Sequence, residues 1–323
     1  MHPWANAAID RAPSWARRPV TLLAHTIDRA GADRLPGLAA ELAFWVLLSL
    51  PALLLTAIAT LSFVAGEGDG WRDDLIDRIV DVASVALTPG VLNDVLRPVL
   101  VRLVEDTTLP VVSVAFLVTV WTASRAVKVV LVVIAITYGE QEPGGFGRRL
   151  LAFALTLGAL VVGLLLAPLL IVGPGFGEQL GEQLGDLPGL EAGVLGAVWR
   201  ATYWPTVITL ATLALASLYH VGAPWNTRWR RDLPGAVLAT GGWLAGSAAL
   251  RLYGAWILNS ESAYGPLAGP IVGLLWVWLT GFAVLVGAEF NAQIERLWPT
   301  RPADAPDEPS VRERLTSAFD RRR

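Results

Sequence analysis

Long apolar runs, separated by short polar turns, set the pattern of this chain. Each run of roughly twenty residues is long enough, as a helix, to cross about 30 Å of hydrocarbon. The clearest stretch is Gly235–Glu295, where two such runs are joined by a link too short to hold a domain, which predicts a helical hairpin. Both runs carry glycines four apart, Gly242/Gly246 and Gly269/Gly273. That spacing lets helix backbones approach closely where lipid supplies no hydrophobic drive for association. Upstream, further runs extend over about Leu38–Val64, from near Thr107 to Tyr138, over Leu150–Val172 and over about Ala201–Leu218. Pro51 lies inside the first of these and predicts a kink, with Ser49 or Thr56 helping to satisfy the backbone. The fold class expected is all-α, a polytopic membrane bundle of six transmembrane helices.

The polar segments define three regions. Residues 1–36 place Arg17, Arg18, Arg29 and Arg34 beside Val20, Leu22, Leu23 and Ile27. This reads either as an amphipathic helix lying in the membrane interface or as a plain positively charged leader. A cleavable signal peptide is not expected, because the first long apolar run begins only near Leu38 and has spanning length. Residues 37–298 form the membrane domain, interrupted by an insert over 65–108. The insert holds nine acids against four arginines, and its apolar positions recur at helical spacing on either side of Pro89-Gly90. Two short amphipathic helices over the outer mouth of the bundle are expected there. After Trp298, Pro299, Pro302, Pro306 and Pro309 stand among charges, so 299–323 reads as a disordered polar tail.

Charge alternates along the chain. Lys and Arg number five in the leader, two over 139–149, three over 220–234 and seven after Asn291, whereas the intervening loops carry acids. The positive-inside rule then puts both termini in the cytoplasm, with six crossings of the membrane. Composition agrees: of 323 residues, 54% are hydrophobic and 16% charged, and mean hydropathy is +0.52. Soluble domains carry about 25% charged residues. No internal repeat is visible, so an inverted-repeat transporter fold finds no support.

Several chemistries are set aside at this level. The chain has no cysteine, which removes disulfides, thiol catalysis and Cys-based metal sites. His2, His25 and His220 lie far apart and read as interfacial or solvated imidazoles. No Ser/His/Asp triad, phosphate loop or HExxH helix appears. Glu140 and Glu142 sit beside Arg148 and Arg149 as a solvated charge mix, and the acidic insert lacks the periodicity of a calcium loop. No enzyme activity, catalytic residue, cofactor, metal ion or nucleic-acid partner is expected.

Charged residues within the apolar runs are the candidates for function. Arg125 and Lys128 are spaced to share one helix face. If their helix runs unbroken from about Pro110 to Tyr138, both lie inside the hydrocarbon and call for a cavity or an anionic partner. If it ends near Ser124, they are interfacial cations that snorkel to lipid phosphates. Glu289 and Asn291 close the last run, and a carboxylate near a helix C-terminus opposes the dipole. A cationic partner is therefore expected for Glu289, from Arg125, Lys128 or the cluster Arg228, Arg230 and Arg231. Its role is either a structural ion pair or a proton- or substrate-coupling one. Arg228, Arg230 and Arg231 are expected to contact lipid phosphates on the cytoplasmic side. Arg251 reads as snorkelling or paired with Glu261 or an insert acid, and Glu41 as a helix N-terminal acid favoured by the dipole. Trp199, Tyr203 and Trp204, with Tyr253, Trp256 and Tyr264, read as outer aromatic anchors.

A set of short motifs then points to a family. Leu47-Leu48-Ser49-Leu50-Pro51, Trp121-Thr122-Ala123-Ser124-Arg125, Tyr138-Gly139, Leu218-Tyr219 with Ala223-Pro224, Pro234-Gly235-Ala236, Tyr264-Gly265 and Gly287-Ala288-Glu289 with Asn291-Ala292 follow one another from about Leu38 to Glu295. In that order the chain resembles the YihY/BrkB family of bacterial inner-membrane proteins, once labelled ribonuclease BN. It departs from the family pattern at Phe44-Trp45, where tyrosine is usual, and at Glu41 and Arg251. The resemblance implies a six-span protein of the cytoplasmic membrane whose molecular activity is unsettled, with transport or lipid-related roles proposed and the nuclease label a mistaken one. The leading expectation is a protein that moves a lipid, amphiphile or anion, with membrane lipids as partners. The alternative is a non-catalytic scaffold, homo-oligomeric or bound to another membrane protein, that uses its acidic insert or basic tail. A membrane-embedded hydrolase or nuclease ranks last.

Overall fold

A computed structural model describes residues 16–65, 109–139, 146–172, 192–223, 228–259 and 268–299, with isolated positions in 10–14 and 76–101. The described residues form seven long helices: α1 (Arg17–Ala32), α2 (Leu35–Ala65), α3 (Leu109–Thr137), α4 (Phe146–Val172), α5 (Ala192–Gly222), α6 (Leu233–Asn259) and α7 (Ala268–Leu297). Among the described residues five stretches are long and apolar enough to cross a membrane: Leu35–Leu53 in α2, Ser113–Thr137 in α3, Ala197–Gly222 in α5, Trp229–Tyr253, which runs from a short turn into α6, and Ile271–Leu297 in α7. The expected helical membrane bundle is what forms, with five crossings carried by the described residues where six were expected. The tail beyond Pro299 and nearly all of the insert lie outside the described residues. Within the insert, Arg97 pairs with Asp77 at 2.6 Å.

Proline placement shows why these helices start where they do. Pro19, Pro36, Pro110, Pro234 and Pro270 all fall in the first turn of a helix, where a missing N–H has no acceptor to lose. Pro51 instead lies inside α2, which continues through it to Ala65. The expected help from hydroxyls is partial: Ser49 Oγ donates to the Val46 carbonyl at 2.7 Å and Thr56 Oγ1 to that of Ala52 at 2.8 Å. Neither serves the Leu47 carbonyl, the acceptor one turn before Pro51. Between Val111 and Tyr138 there is no glycine or proline, and α3 runs unbroken over that length. Gly139, at φ 85°, ends α3 with its N–H on the Ile136 carbonyl at 2.9 Å.

Helix α7 is the hub and packs against α1, α2, α3 and α6. The core it serves joins Leu35, Ala39 and Leu42 of α2, Val129, Val130, Val133 and Ile134 of α3, Ala216 and Tyr219 of α5, Ala236 of α6, and Leu285 and Ala288 of α7. Hydroxyls and indoles stitch neighbours together. Thr56 meets Thr119 at 3.3 Å between α2 and α3, and Thr212 meets Thr240 at 3.2 Å between α5 and α6. Trp243 donates to Thr280 and Trp276 to Ser247, both at 3.1 Å, across α6 and α7. Such interhelical bonds contribute about 0.6 kcal/mol each in a bilayer.

The close approach of α6 to α7 does occur, but not at every expected glycine. A Cβ on Gly242 or Gly273 would meet nothing within 4 Å, and the surroundings of Gly269 lie outside the described residues. Gly246 does face its partner, with Leu279 Cδ2 2.6 Å from where its Cβ would be. The tightest contact is between Gly235 and Gly287: a Cβ on Gly287 would sit 2.5 Å from the Gly235 carbonyl oxygen and 2.7 Å from Tyr219 Oη. Spacing alone marks which glycines share a face; the partner helix decides which face is used.

This contact yields the first prediction. Gly287→Ala must push two backbones apart and is expected to destabilise the bundle by about 1–3 kcal/mol, whereas Gly242→Ala, in open space, leaves stability unchanged. Thermal unfolding of the detergent-solubilised protein distinguishes the two.

Candidate functional site

The unbroken course of α3 fixes where its two cations lie along an apolar stretch of spanning length. Arg125 is twelve residues from both Ser113 and Thr137, the ends of the apolar stretch, which at 1.5 Å per residue puts it about 18 Å from either end. Lys128, one turn further along the same face, is about 14 Å from Thr137 by the same rise. The Arg125 guanidinium carbon lies 5.5 Å from the centroid of Trp45 and 5.2 Å from that of Trp121. Those two indoles meet edge to face at 6.0 Å. A cation held against aromatic faces gains from about 0.5 kcal/mol to about 2 kcal/mol, more as water is removed.

Both cations line two cavities, one on each side of α3. The first, about 260 Å³, is bounded by Trp121, Ser124, Arg125, Lys128, Arg149 and Phe153. The second, about 250 Å³, is bounded by Leu38, Glu41, Trp45, Arg125, Lys128 and Val132. Three cations therefore face the first cavity, and two cations with one carboxylate face the second. Among the described residues no carboxylate lies within 4 Å of Arg125, Lys128 or Arg149. Trp121 and Phe153 are exposed at the rim, so the first cavity opens sideways to the surroundings of the bundle.

Sequence reasoning named Arg125 and Lys128 but not Trp45, Trp121, Glu41 or Arg149 as their neighbours. Arg149 had a readable signal. The turn after Tyr138 is short, so α4 returns antiparallel to α3 and brings Leu151 and Ala152 against Leu131. The opening residues of α4 then lie alongside the later turns of α3.

The remaining candidates gather where α3 and α7 end, here termed the Tyr138 end. Asn291 is buried and spans the start of α6: its Oδ1 accepts from the Gly235 N–H at 2.8 Å and its Nδ2 donates to the Asp232 carbonyl at 3.0 Å. Glu289 is fully buried, and its Oε1 accepts from Gln293 Nε2 at 2.5 Å. The cationic partner expected for it does not come from Arg125, Lys128 or the 228–231 cluster. Arg231 instead reaches Glu295 at 2.8 Å and the Trp298 carbonyl at 2.7 Å, tying the start of α6 to the end of α7. Arg228 and Arg230 are exposed on either side of Trp229. His220, expected as a solvated imidazole, has its Nδ1 3.0 Å from the buried Asp232 Oδ2. Arg296 donates to the Thr137 carbonyl in the last turn of α3. Tyr138 lies among these groups, and burial first, then the charges of Asp232, Glu295 and Glu289, pushes its phenol upward. Arg251 and Tyr253 are exposed near the far end of α6, while Glu261 and Tyr264 and the side chain of Trp256 lie outside the described residues.

An all-helical membrane protein with cations exposed at mid-span between two lateral cavities is the class that fold and site define. Comparison with known proteins agrees with it. The chain belongs to the family described as virulence factor BrkB, which it matches over residues 26–312. It is also 26% identical over 258 residues to the ribonuclease-like protein YfkH of Bacillus subtilis (strain 168), covering 80% of this chain and 89% of that one. No solved structure matches.

The Asn291 bridge generates a second prediction. Asn291→Ala leaves the buried Gly235 N–H without its acceptor and takes from the Asp232 carbonyl one of two donors, the other being the Ala236 N–H, and is expected to cost about 1–3 kcal/mol of stability. Arg228→Ala, at an exposed position, is expected to leave the melting temperature unchanged.

Proposed function

We propose that this protein moves an anionic lipid or other anionic amphiphile within or across the bacterial inner membrane, with Arg125, Lys128 and Arg149 as its headgroup contacts. One observation carries this reading: two cations stand on an unbroken apolar helix, line open cavities, and have no carboxylate within 4 Å among the described residues, Glu41 lining only the second cavity. A cation at the centre of a span costs about 2.5–3.5 kcal/mol by insertion scales. Indole contacts offset only part of that, and an anionic headgroup entering sideways offsets more. Snorkelling fits poorly with a position about 18 Å from either helix end. Exposed Trp121 and Phe153 suit acyl chains at the rim, while Ser124 and the three cations suit the head. Arg228 and Arg230 provide an outlying basic surface for lipid phosphates. Nuclease chemistry, which the name of YfkH suggests, is less favoured. Two-metal cleavage works through clustered acidic ligands, and among the described residues no group of three or more His, Asp or Glu could hold a metal ion.

The test uses the full chain reconstituted in vesicles containing fluorescent phosphatidylglycerol. The double variant Arg125→Gln, Lys128→Gln is expected to lower lipid translocation at least tenfold at unchanged folded yield, and Arg228→Gln, Arg230→Gln to lower it less than threefold. Wild-type rates in the double variant, or metal-dependent RNA cleavage by the purified protein, would overturn the reading.

A further inference from the structure

Helices α2 and α3, 31 and 29 residues long, carry three ionisable side chains between them: Glu41 on α2, Arg125 and Lys128 on α3. All three line the second cavity, of about 250 Å³, whose walls come from these two helices. Unlike charges in so apolar a setting gain most by closing on one another. These do not: among the described residues no ion pair within 4 Å joins Glu41 to either cation. Nor is Glu41 a helix-end acid at the edge of its span. It lies six residues past Leu35, where the apolar stretch of α2 begins, or about 9 Å into it at 1.5 Å per residue. A carboxylate at that depth is costly until an opposite charge serves it.

Trp45 stands one turn after Glu41 on the same face of α2. The Arg125 guanidinium carbon lies 5.5 Å from its ring centroid, so that indole face already holds a cation. Glu41 is then the group on this wall that can receive a second positive charge. The first cavity differs, with Arg125, Lys128 and Arg149 on its wall. The same two cations thus serve an anion-only site on one side of α3 and a bipolar one on the other. At the bipolar side Phe44 is 58% exposed, and its ring meets that of Trp45 edge to face at 5.4 Å. Leu48, one turn beyond Phe44, is exposed as well. The mouth is therefore apolar and the interior charged.

We propose that the second cavity binds the zwitterionic headgroup of an aminophospholipid, its phosphate on Arg125 and Lys128 and its primary ammonium on Glu41, with the acyl chains leaving past Phe44 and Leu48. The proposal deepens the headgroup reading and rests on it for the lipid source of the phosphate; it adds a second headgroup class at a separate cavity. A primary ammonium has three N–H donors and makes charge-assisted hydrogen bonds to a carboxylate. A trimethylated ammonium has none, and the Trp45 face that could hold it is taken by Arg125. The cavity therefore selects an ethanolamine head over a choline one. A purely anionic head leaves Glu41 unserved here and suits the first cavity.

The test titrates the full chain in detergent with short-chain lipids and reads bound lipid by native mass spectrometry. Wild type is expected to bind phosphatidylethanolamine at least tenfold more tightly than phosphatidylcholine. Glu41→Gln, which keeps the shape and removes the charge, is expected to weaken phosphatidylethanolamine at least tenfold and phosphatidylglycerol less than threefold. The double variant Arg125→Gln, Lys128→Gln is expected to weaken both lipids. A Glu41→Gln effect shared equally by both lipids, or absent from both, overturns the aminophospholipid site and leaves the headgroup reading standing. Binding of both lipids unaltered by the double variant overturns the headgroup reading itself. Equal affinity for O-phosphoethanolamine, which has the head without the chains, overturns the lipid source. Should Glu41→Gln fold poorly, the wild-type preference for ethanolamine over choline decides, and its absence overturns the proposal.

Discussion

The contact between Gly235 and Gly287 is the constraint on which much of the bundle rests. Lipid gives apolar helices no reason to prefer one another, so specificity must come from shape and from polar groups satisfied across an interface. With no side chain between them, the two backbones come close enough for Asn291 to reach both Gly235 and the Asp232 carbonyl. The same proximity brings Tyr219 of α5 to the Val284 carbonyl at 2.7 Å. Helix α7 is thereby fixed in rotation. Once it is fixed, Glu289 and Gln293 face the interior, and Leu285 and Ala288 complete the core.

Against this clasped half, α2 and α3 form a second unit that handles charge differently. Their pairing, helped by the Thr56–Thr119 contact, sets Trp45 against Trp121 and traps the Arg125 guanidinium between indole faces. A flexible arginine would find water or lipid phosphate for itself. One braced by two indoles stays where it is placed, which is what a binding group requires. Trp45 forms one wall of the cation site.

Much of the architecture was legible because hydrocarbon thickness imposes a length on each span and backbone satisfaction imposes the helix. Pro36, Pro110, Pro234 and Pro270 mark helix starts, and the glycine- and proline-free run from Val111 to Tyr138 decides that α3 is continuous. Helix rotation was not legible. Gly242 and Gly246 share a spacing, yet only Gly246 meets a neighbour, because periodicity defines faces without saying which one finds a partner. For the same reason the fate of Glu289 could not be read. Dipole reasoning asked for a cation, but the basic residues close by in space bind elsewhere: Arg231 to Glu295, Arg296 to a carbonyl. The Asp232 partner of His220 was not legible, because Asp232, twelve residues later, returns to it only through the 229–231 turn.

The two charge systems differ in a way that bears on function. Arg125, Lys128 and Arg149 have no carboxylate within 4 Å among the described residues and line a cavity that opens sideways, so an anion arriving from the lipid side would lower their cost. Glu289 is enclosed at 0% exposure with its Oε2 unpartnered, out of reach of a lipid headgroup. Opposite charges left unpaired in one bundle would neutralise each other if rotation of a helix allowed it. The Gly235–Gly287 clasp forbids that rotation, and the apolar layer of Leu42, Val129 and Leu285 is part of the core that α2, α3 and α7 share. The molecule thus keeps the Arg125 and Lys128 cations and the buried Glu289 carboxylate apart by packing.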